Sequence, residues 1–292
     1  MNVLLTGATG QVGVALRNTA PPGISLHAVS HTELDITDRV RVRALVEETE
    51  PDLVINTAAY TAVDRAESEP ERAEAVNAEG PRHLAEALAV RTRGRLLHVS
   101  TDYVFDGAAE RPYRPDDHPR PLSIYGRTKL RGERAALAAL GPRAAVLRTA
   151  WVYAPRGRNF VLTMLRLMRE RGAVRVVADQ RGTPTSAASI AQALWALAAR
   201  PAVSGILHWT DAGVASWFDF ACAIAEDGAA MGLLAPGAQV TPITTAEYPT
   251  LAPRPKNSVL DTSGSQERLE LTPALWRDQL RQTLGLIRRG GE

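Results

Sequence analysis

Cysteine is almost absent from this chain. Cys222 is the only one, so no intramolecular disulfide can form. It lies in the run Phe218-Asp219-Phe220-Ala221-Cys222-Ala223-Ile224, whose apolar pattern predicts a buried structural thiol rather than a nucleophile. Lysine is nearly as scarce: of 34 basic residues only Lys129 and Lys256 are lysines, and the rest are arginines. No stretch of eighteen apolar residues occurs, which excludes an ordinary membrane-spanning helix. The first residues enter a strand-like run with no basic and apolar leader, so no signal peptide is expected and the cytoplasm is the expected location. The six histidines are dispersed, and no Cys/His/carboxylate grouping has metal-ligand spacing, so no metal is expected. Asp116-Asp117-His118 reads as a solvated turn. Net charge is only +2 and the arginines are scattered, so no basic stripe for nucleic acid is present.

What is there suits one large domain or two modest ones: 292 residues, 45% hydrophobic and 23% charged. Val3-Leu4-Leu5-Thr6 reads as a buried strand, running into Gly7-Ala8-Thr9-Gly10-Gln11-Val12-Gly13 and then a helix. Glycines at this spacing allow a tight turn, backbone approach to a pyrophosphate and close helix packing, and the helix N-terminus adds amide donors. A second strand, Ile24 to Val29, ends in Ser30-His31 without the acid that usually holds the ribose diol of NAD, and the first acids follow at Glu33 and Asp35. That favours NADPH, with NADH as the alternative. Thr37 or Asp38 caps the next helix, with Val42, Leu45, Val46 and Thr49 on one face. Leu53–Asn56 is a further buried strand, and Thr57-Ala58-Ala59 after it are small enough for a cofactor to lie against the backbone.

Glu67 to Val90 is expected to be one long helix interrupted only at Gly80-Pro81, followed by a strand over Arg95–Val99 and a loop over Asp106–Pro121. A helix carrying Tyr125 and Lys129 runs to about Leu140, and Ala144–Arg148 is the next strand. Beyond it the pattern predicts helices over Asn159–Arg171, Ala187–Ala199 and about Ser216–Met231, with short strands at Val174–Val177, Ile206–His208 and Val240–Ile243. Thr272-Pro273 is expected to start the last helix with a cap and a proline at its first position.

The densest chemistry lies between Ser100 and Lys129. Tyr125 and Lys129 are four positions apart, one helical turn on the same face. A phenol titrates near ~10, and a fixed cation beside it favours the phenolate. Thr101, at the carboxyl end of a strand, stands where ligands bind in doubly wound sheets. Hydroxyl, phenol and ammonium around one carbonyl are the equipment for ketone reduction. Tyr-x-x-x-Lys alone is also a common surface pairing, so the case rests on the setting.

Together these residues resemble the extended short-chain dehydrogenase/reductase family, and within it the reductases of sugar nucleotides. The resemblance covers nearly the whole chain. It rests on Gly7-x-x-Gly10-Gln11-Val12-Gly13, Asn56 to Asp64, Val76-Asn77, Ser100 to Gly107, Tyr125-Gly126-x-Thr128-Lys129, Arg148-Thr149-x-Trp151-Val152-Tyr153, Asp179-Gln180-x-Gly182-x-Pro184-Thr185 and Arg254-Pro255-x-Asn257-Ser258. It implies an α/β fold: a doubly wound parallel (Rossmann) sheet over 1–150, with about 186–205 packed back on it. A smaller α/β substrate-binding domain would come mainly from 151–185 and 206–292. It also implies reduction of the C4 ketone of a dTDP-4-keto-6-deoxyhexose by NADPH, in a monomer or homodimer.

By the same resemblance Tyr125 donates the proton, Lys129 lowers the Tyr125 pKa and holds the nicotinamide ribose, and Thr101 hydrogen-bonds the carbonyl oxygen. Asp102, Tyr103 and Trp151 match substrate-contacting positions, with Arg254 and Asn257 for the nucleotide diphosphate. Gln11, Val12, Asp35, Ile36, Ala58, Ala59, Thr61 and Val99 match cofactor positions beside the three glycines. Asn77 reads as a buried amide tying a loop, and Trp151 reads equally as core or site. Related dehydratases follow Thr-Asp with a glutamate for elimination, where this chain has Tyr103. A non-catalytic regulatory subunit and a 4-ketoreductase for another dTDP-deoxysugar are the other readings.

Overall fold

In a computed structural model, which describes residues 1–91 and 93–290, the chain builds a six-stranded parallel sheet covered on both faces. The elements run β1 Asn2–Thr6, α1 Gln11–Asn18, β2 Ser25–Val29, α2 Arg39–Thr49, β3 Leu53–Asn56, α3 Val63–Ser68, α4 Pro70–Glu74, α5 Gly80–Ala89 and β4 Arg95–Thr101. Next come α6 Ile124–Leu140, β5 Ala144–Thr149, β6 Val152–Tyr153, α7 Phe160–Arg171, β7 Ala173–Val177, β8 Arg181–Gly182, β9 Thr185–Ser186 and α8 Ala187–Ala198. The chain ends with β10 Gly205–His208, β11 Ala215–Ser216, α9 Trp217–Ala230, β12 Gln239–Ile243, α10 Ser263–Leu269 and α11 Trp276–Gly290.

The strand order is β10-β5-β4-β3-β1-β2, so the chain reverses direction across the sheet between β1 and β3. Alternation along each strand divides the core into two layers. Val3, Leu5, Leu53, Ile55, Leu97 and Leu147 pack toward α1 and α8, whereas Leu4, Val54, Leu96 and Ala144 pack toward α2, α5 and α6. A separate apolar cluster forms where α7, α9, β7 and α11 meet, around Val161, Phe220, Ile224 and Leu284. There β7 and β12 pair in parallel outside the main sheet.

Four expectations need correction. Glu67 to Val90 is not one helix broken only at Gly80-Pro81: a break falls at Glu69, because Pro70 pushes the preceding residue out of the helical region. A wide π-turn over Ala75–Glu79 then leads into α5, so Gly80 and Pro81 are helical. The last helix starts at Trp276 rather than at Thr272-Pro273. Ala212 donates its N–H to the Ala274 carbonyl and accepts from Trp276 N–H, so the intervening backbone is spent on a strand-like pairing. Cys222 is half-buried rather than buried, although burial still raises its pKa first, aided by Glu226 and Asp219. Finally, β10 pairs with β5 in the main sheet, so a boundary at 205/206 cuts through a strand.

One polar group is set deep in the α6 layer. Arg148 of β5 and Glu133 of α6, both 1% exposed, are joined by two hydrogen bonds of 2.9 and 2.7 Å. The Ser100 hydroxyl donates to the same carboxylate at 2.5 Å, and the guanidinium lies 5.1 Å from the Phe105 ring centroid. Removing one partner of such a pair leaves an uncompensated charge. Glu133→Ala is therefore expected to lower unfolding free energy by about 3–5 kcal/mol in urea titration, whereas the double change Glu133→Leu with Arg148→Met recovers most of that loss.

Candidate active site

The loops after β1 and β3 flank the point where the strand order reverses, and the glycine turn lies there. Gly7 has φ +72°, and a Cβ on it would meet the Ala58 backbone at 2.6 Å. A Cβ on Gly13 would meet the Gly7 carbonyl at 2.2 Å, so both positions require close approach of backbone. Gly10 caps α1 with no side-chain hydrogen bond to the helix, and no acid stands in the first turn. The amides of Gln11, Val12 and Gly13 are thus open to an anion rather than spent on a cap. This fits a dinucleotide pyrophosphate. Gln11 itself accepts a bond from Asn159, the cap of α7, at 2.9 Å.

At the end of β2 the Glu33 carboxylate folds back onto Ser30, accepting from its N–H at 2.7 Å and its hydroxyl at 2.6 Å. Negative charge therefore stands near the strand end after all, although the acid is three residues further along the chain. Asp35 is tied to the Thr37 N–H and hydroxyl, Ile36 is buried against Gly80, and Ala58, Ala59 and Thr61 line the exit of β3. Ala58 donates its N–H to Asn56.

Thr101 ends β4 and its hydroxyl accepts from the Tyr103 N–H at 3.2 Å. It also donates to Asp102 Oδ1 at 3.0 Å. Across from it, Ser123 caps α6 by accepting from the Gly126 N–H, which starts the helix one residue before Tyr125. A Cβ on Gly126 would come within 2.1 Å of the Tyr103 carbonyl, so only glycine lets the helix lie this near the strand end. The Tyr125 and Tyr103 rings meet edge-on, 5.7 Å between centroids. Thr101, Asp102, Tyr103 and Tyr125 thus form one cluster.

Burial pushes the Tyr125 phenol up to about 12, the Thr101 hydroxyl pulls against that, and Asp102 adds to it. Lys129 is not among the groups that lower it, contrary to the expectation. Its nitrogen turns instead to the Val99 carbonyl at 2.7 Å, and burial brings its pKa down to about 8, with Glu133 opposing. Asp102 is 2% exposed and burial raises it to about 6, with the Ser258 and Thr101 hydroxyls pulling it down. Its Oδ2 is buried with no hydrogen-bond partner among the described residues. Burial, then Asp102, also raises the Tyr103 phenol.

The residues expected at the nucleotide end divide. Arg254 reaches across to α3, where it holds Asp64 in a two-pronged pair at 2.6 and 2.7 Å. Asn257 is spent on backbone: it donates to the Ala109 carbonyl at 2.7 Å and accepts from Val259 N–H at 3.2 Å, so it ties loops together. Asn77 likewise spans Tyr60, accepting from its N–H and donating to its carbonyl, as expected of a loop-tying amide. Trp151 has φ +47°, stacks on Trp217 with 3.5 Å between centroids, and lies against Gly182. A bulky residue in that backbone region stores strain, which the stacking must offset. Asp64 stood within a quoted motif but received no role from the sequence, because its partner is 190 residues away.

A family profile described as "RmlD substrate binding domain" matches residues 1–288. The chain is 47% identical over 290 residues to a dTDP-4-dehydrorhamnose reductase of Mycolicibacterium smegmatis, covering 98% of this chain and 85% of that protein. It is also 47% identical over 261 residues to a Streptomyces antibioticus protein named a probable dTDP-4,6-dihydroxy-2-methyloxan-3-one 4-ketoreductase, covering 89% and 86%. Among solved structures, a dTDP-4-dehydrorhamnose reductase of Bacillus anthracis in complex with NADP superimposes with a TM-score of 0.91 at 34% identity, covering 98% and 99%.

Because a methyl at position 13 would collide with backbone rather than with a movable side chain, Gly13→Ala is expected to weaken NADPH binding by about tenfold or more. Nucleotide fluorescence titration reads this directly; unaltered affinity would mean the turn does not hold the pyrophosphate.

Proposed function

The chain belongs to the RmlD substrate binding domain family, and from that premise we propose that it reduces the C4 ketone of dTDP-4-dehydro-L-rhamnose to the alcohol of dTDP-L-rhamnose with NADPH. The observation that carries this reading is the cluster of Thr101, Asp102, Tyr103 and Tyr125 at the carboxyl end of β4, beside a glycine turn open to a pyrophosphate. NADPH, when bound, supplies hydride to C4. Tyr125 gives its phenolic proton to the C4 oxygen. A phenol held near 12 is protonated at neutral pH, which is the form a proton donor needs. Thr101 hydrogen-bonds the oxygen as its charge grows, and Lys129, buried one turn along the same helix, holds the nicotinamide ribose.

The other assignments follow the same reading. Gly7, Gly10, Gln11, Val12 and Gly13 take the pyrophosphate, and Asp35, Ile36, Ala58, Ala59, Thr61 and Val99 line the rest of the cofactor. Asp102 and Tyr103 contact the sugar, Trp151 closes one side, and Arg254 takes the diphosphate after leaving Asp64. Residues 1–150 with the α8 region bind the cofactor, and the α7–α9–α11 body serves the substrate. The protein works in the cytoplasm as a monomer or homodimer. Tyr103 stands where elimination chemistry would need a glutamate, so reduction is favoured over dehydration. A 4-ketoreductase acting on another dTDP-deoxysugar is the second reading, supported by the 47% identity to the Streptomyces protein.

NADPH oxidation with dTDP-4-keto-L-rhamnose, made in situ by the preceding enzymes, tests the proposal. Turnover is expected, and NMR of the C4 configuration in the product separates the two sugar readings. Absence of turnover with NADPH still bound would instead mark a non-catalytic subunit. Tyr125→Phe is expected to lower kcat by at least about a hundredfold with little change in NADPH affinity, as measured by stopped-flow and titration.

A further inference from the structure

Three buried polar side chains stand side by side on β1, β3 and β4, because the parallel register aligns Thr6 with Asn56 and Asn56 with His98. All three are at most 1% exposed and face the α6 layer. At the far end of the row, His98 Nε2 lies 3.3 Å from Lys129 Nζ.

The proton positions in this row follow from hydrogen-bond accounting. The Ala58 backbone N–H can only donate, and it points at one end of the Asn56 amide at 3.1 Å, so that end is the oxygen. The Thr6 hydroxyl donates to the same oxygen at 2.7 Å. The other end is therefore the NH2 group, and it faces His98 Nδ1 at 3.1 Å. An NH2 group has only protons to offer, so Nδ1 must present its lone pair. A neutral imidazole carries one proton, which leaves it on Nε2, aimed at Lys129. Burial, with the Lys129 charge beside it, holds the His98 pKa well below its usual value, so the ring is neutral.

An ammonium at Lys129 would set donor against donor across 3.3 Å, whereas a neutral amine would accept the His98 proton and still donate to Val99. We propose that His98, locked in the Nε2–H tautomer by Asn56 and Thr6, is a positioning residue that biases Lys129 toward the neutral amine. The reading rests on Lys129 belonging to the reductase site, and it goes further by naming what sets the lysine's charge. Besides His98, the ionisable group that acts on Lys129 is Glu133 on its own helix, which Arg148 of β5 holds through two hydrogen bonds. Burial already lowers Lys129 to about 8, so the bias acts where a small shift changes its state near neutral pH. In its ammonium form Lys129 carries one proton more to give toward the phenolate that Tyr125 becomes, and the neutral amine left behind is the form that accepts from His98.

The scarcity of lysine makes the test direct. With ε-13C-labelled lysine only Lys129 and Lys256 give signals, and Lys256→Arg assigns them. In the intact protein Lys129 is expected to titrate near 8, with imidazole 15N shifts placing the His98 proton on Nε2. Asn56→Asp offers His98 Nδ1 an acceptor, which moves the ring proton to Nδ1 and turns a lone pair to Lys129. His98→Met removes the Nε2–H, and His98→Gln, whose amide can accept from Asn56 and donate to Lys129, restores it. Asn56→Asp and His98→Met should raise the Lys129 pKa by about one unit or more, and the basic limb of kcat/KM with it, whereas His98→Gln should not. An Nδ1–H tautomer in the unmodified protein, or an unmoved Lys129 titration in both variants, overturns the proposal. The titration is read whether or not the sugar is reduced, so failure here is distinct from failure of the assigned reaction.

Discussion

The arrangement depends on one constraint: α6 must lie on the sheet so that its buried charged groups meet partners. Tyr125, Lys129 and Glu133 are spaced by four and form one stripe along the helix. Opposite them stand the Val99 carbonyl, His98, Ser100 and Arg148. The rest of that layer is apolar, filled by Leu84, Leu88, Leu96 and Ala136. Sliding the helix by one turn would leave Glu133 and Arg148 facing hydrocarbon, at a cost comparable to the net stability of a domain. A buried ion pair adds little stability over a well-packed apolar pair, so what Glu133 and Arg148 contribute here is register. Tyr125 is held at the end of β4 because Glu133, two turns away, has only one place to go.

The same burial sets the acid–base character of the site. Removing water raises the carboxyl of Asp102 and the phenols of Tyr103 and Tyr125, and lowers Lys129 and His98. Every shift favours the neutral form, the signature of desolvation. For a reduction this suits the task. The alkoxide produced at C4 is a strong base, so a protonated phenol gives up its proton downhill and a permanent phenolate would be of no use. The spacing of Tyr125 and Lys129 suggests a cation-assisted phenolate, the form the oxidation direction needs, while the Lys129 nitrogen donates to the Val99 carbonyl.

Much of the fold is legible in the sequence. Runs such as Val3–Leu5 and Leu53–Ile55 are short and wholly apolar because both faces of a parallel sheet are covered. The glycine turn is legible because backbone contact at Gly7 and Gly13 excludes other residues. What escaped was set by partners far along the chain. The start of α11 depends on Ala212, the role of Asp64 on Arg254, and the tautomer of His98 on an amide on the neighbouring strand. The π-turn at Ala75–Glu79 escaped for another reason: its residues read as ordinary helix formers, and only tertiary packing widens the turn. Asn257 ties loops together, which its motif does not reveal because a loop amide and a ligand amide read alike in sequence.

The scarcity of lysine also acquires a physical meaning. At most exposed positions lysine and arginine are exchangeable at little cost, and this chain carries arginine nearly throughout. Position 129 is different because the group there is buried, faces an N–H, and is held near the point of losing its proton. A guanidinium titrates above ~12 and stays charged even when buried, so it could neither accept from His98 nor exchange a proton near neutral pH. Its planar fork would also displace the Val99 contact that fixes the side chain. An amine on a flexible stem satisfies all three demands, and no other side chain does. The residue that composition alone marks as an exception is the one whose charge must be free to change.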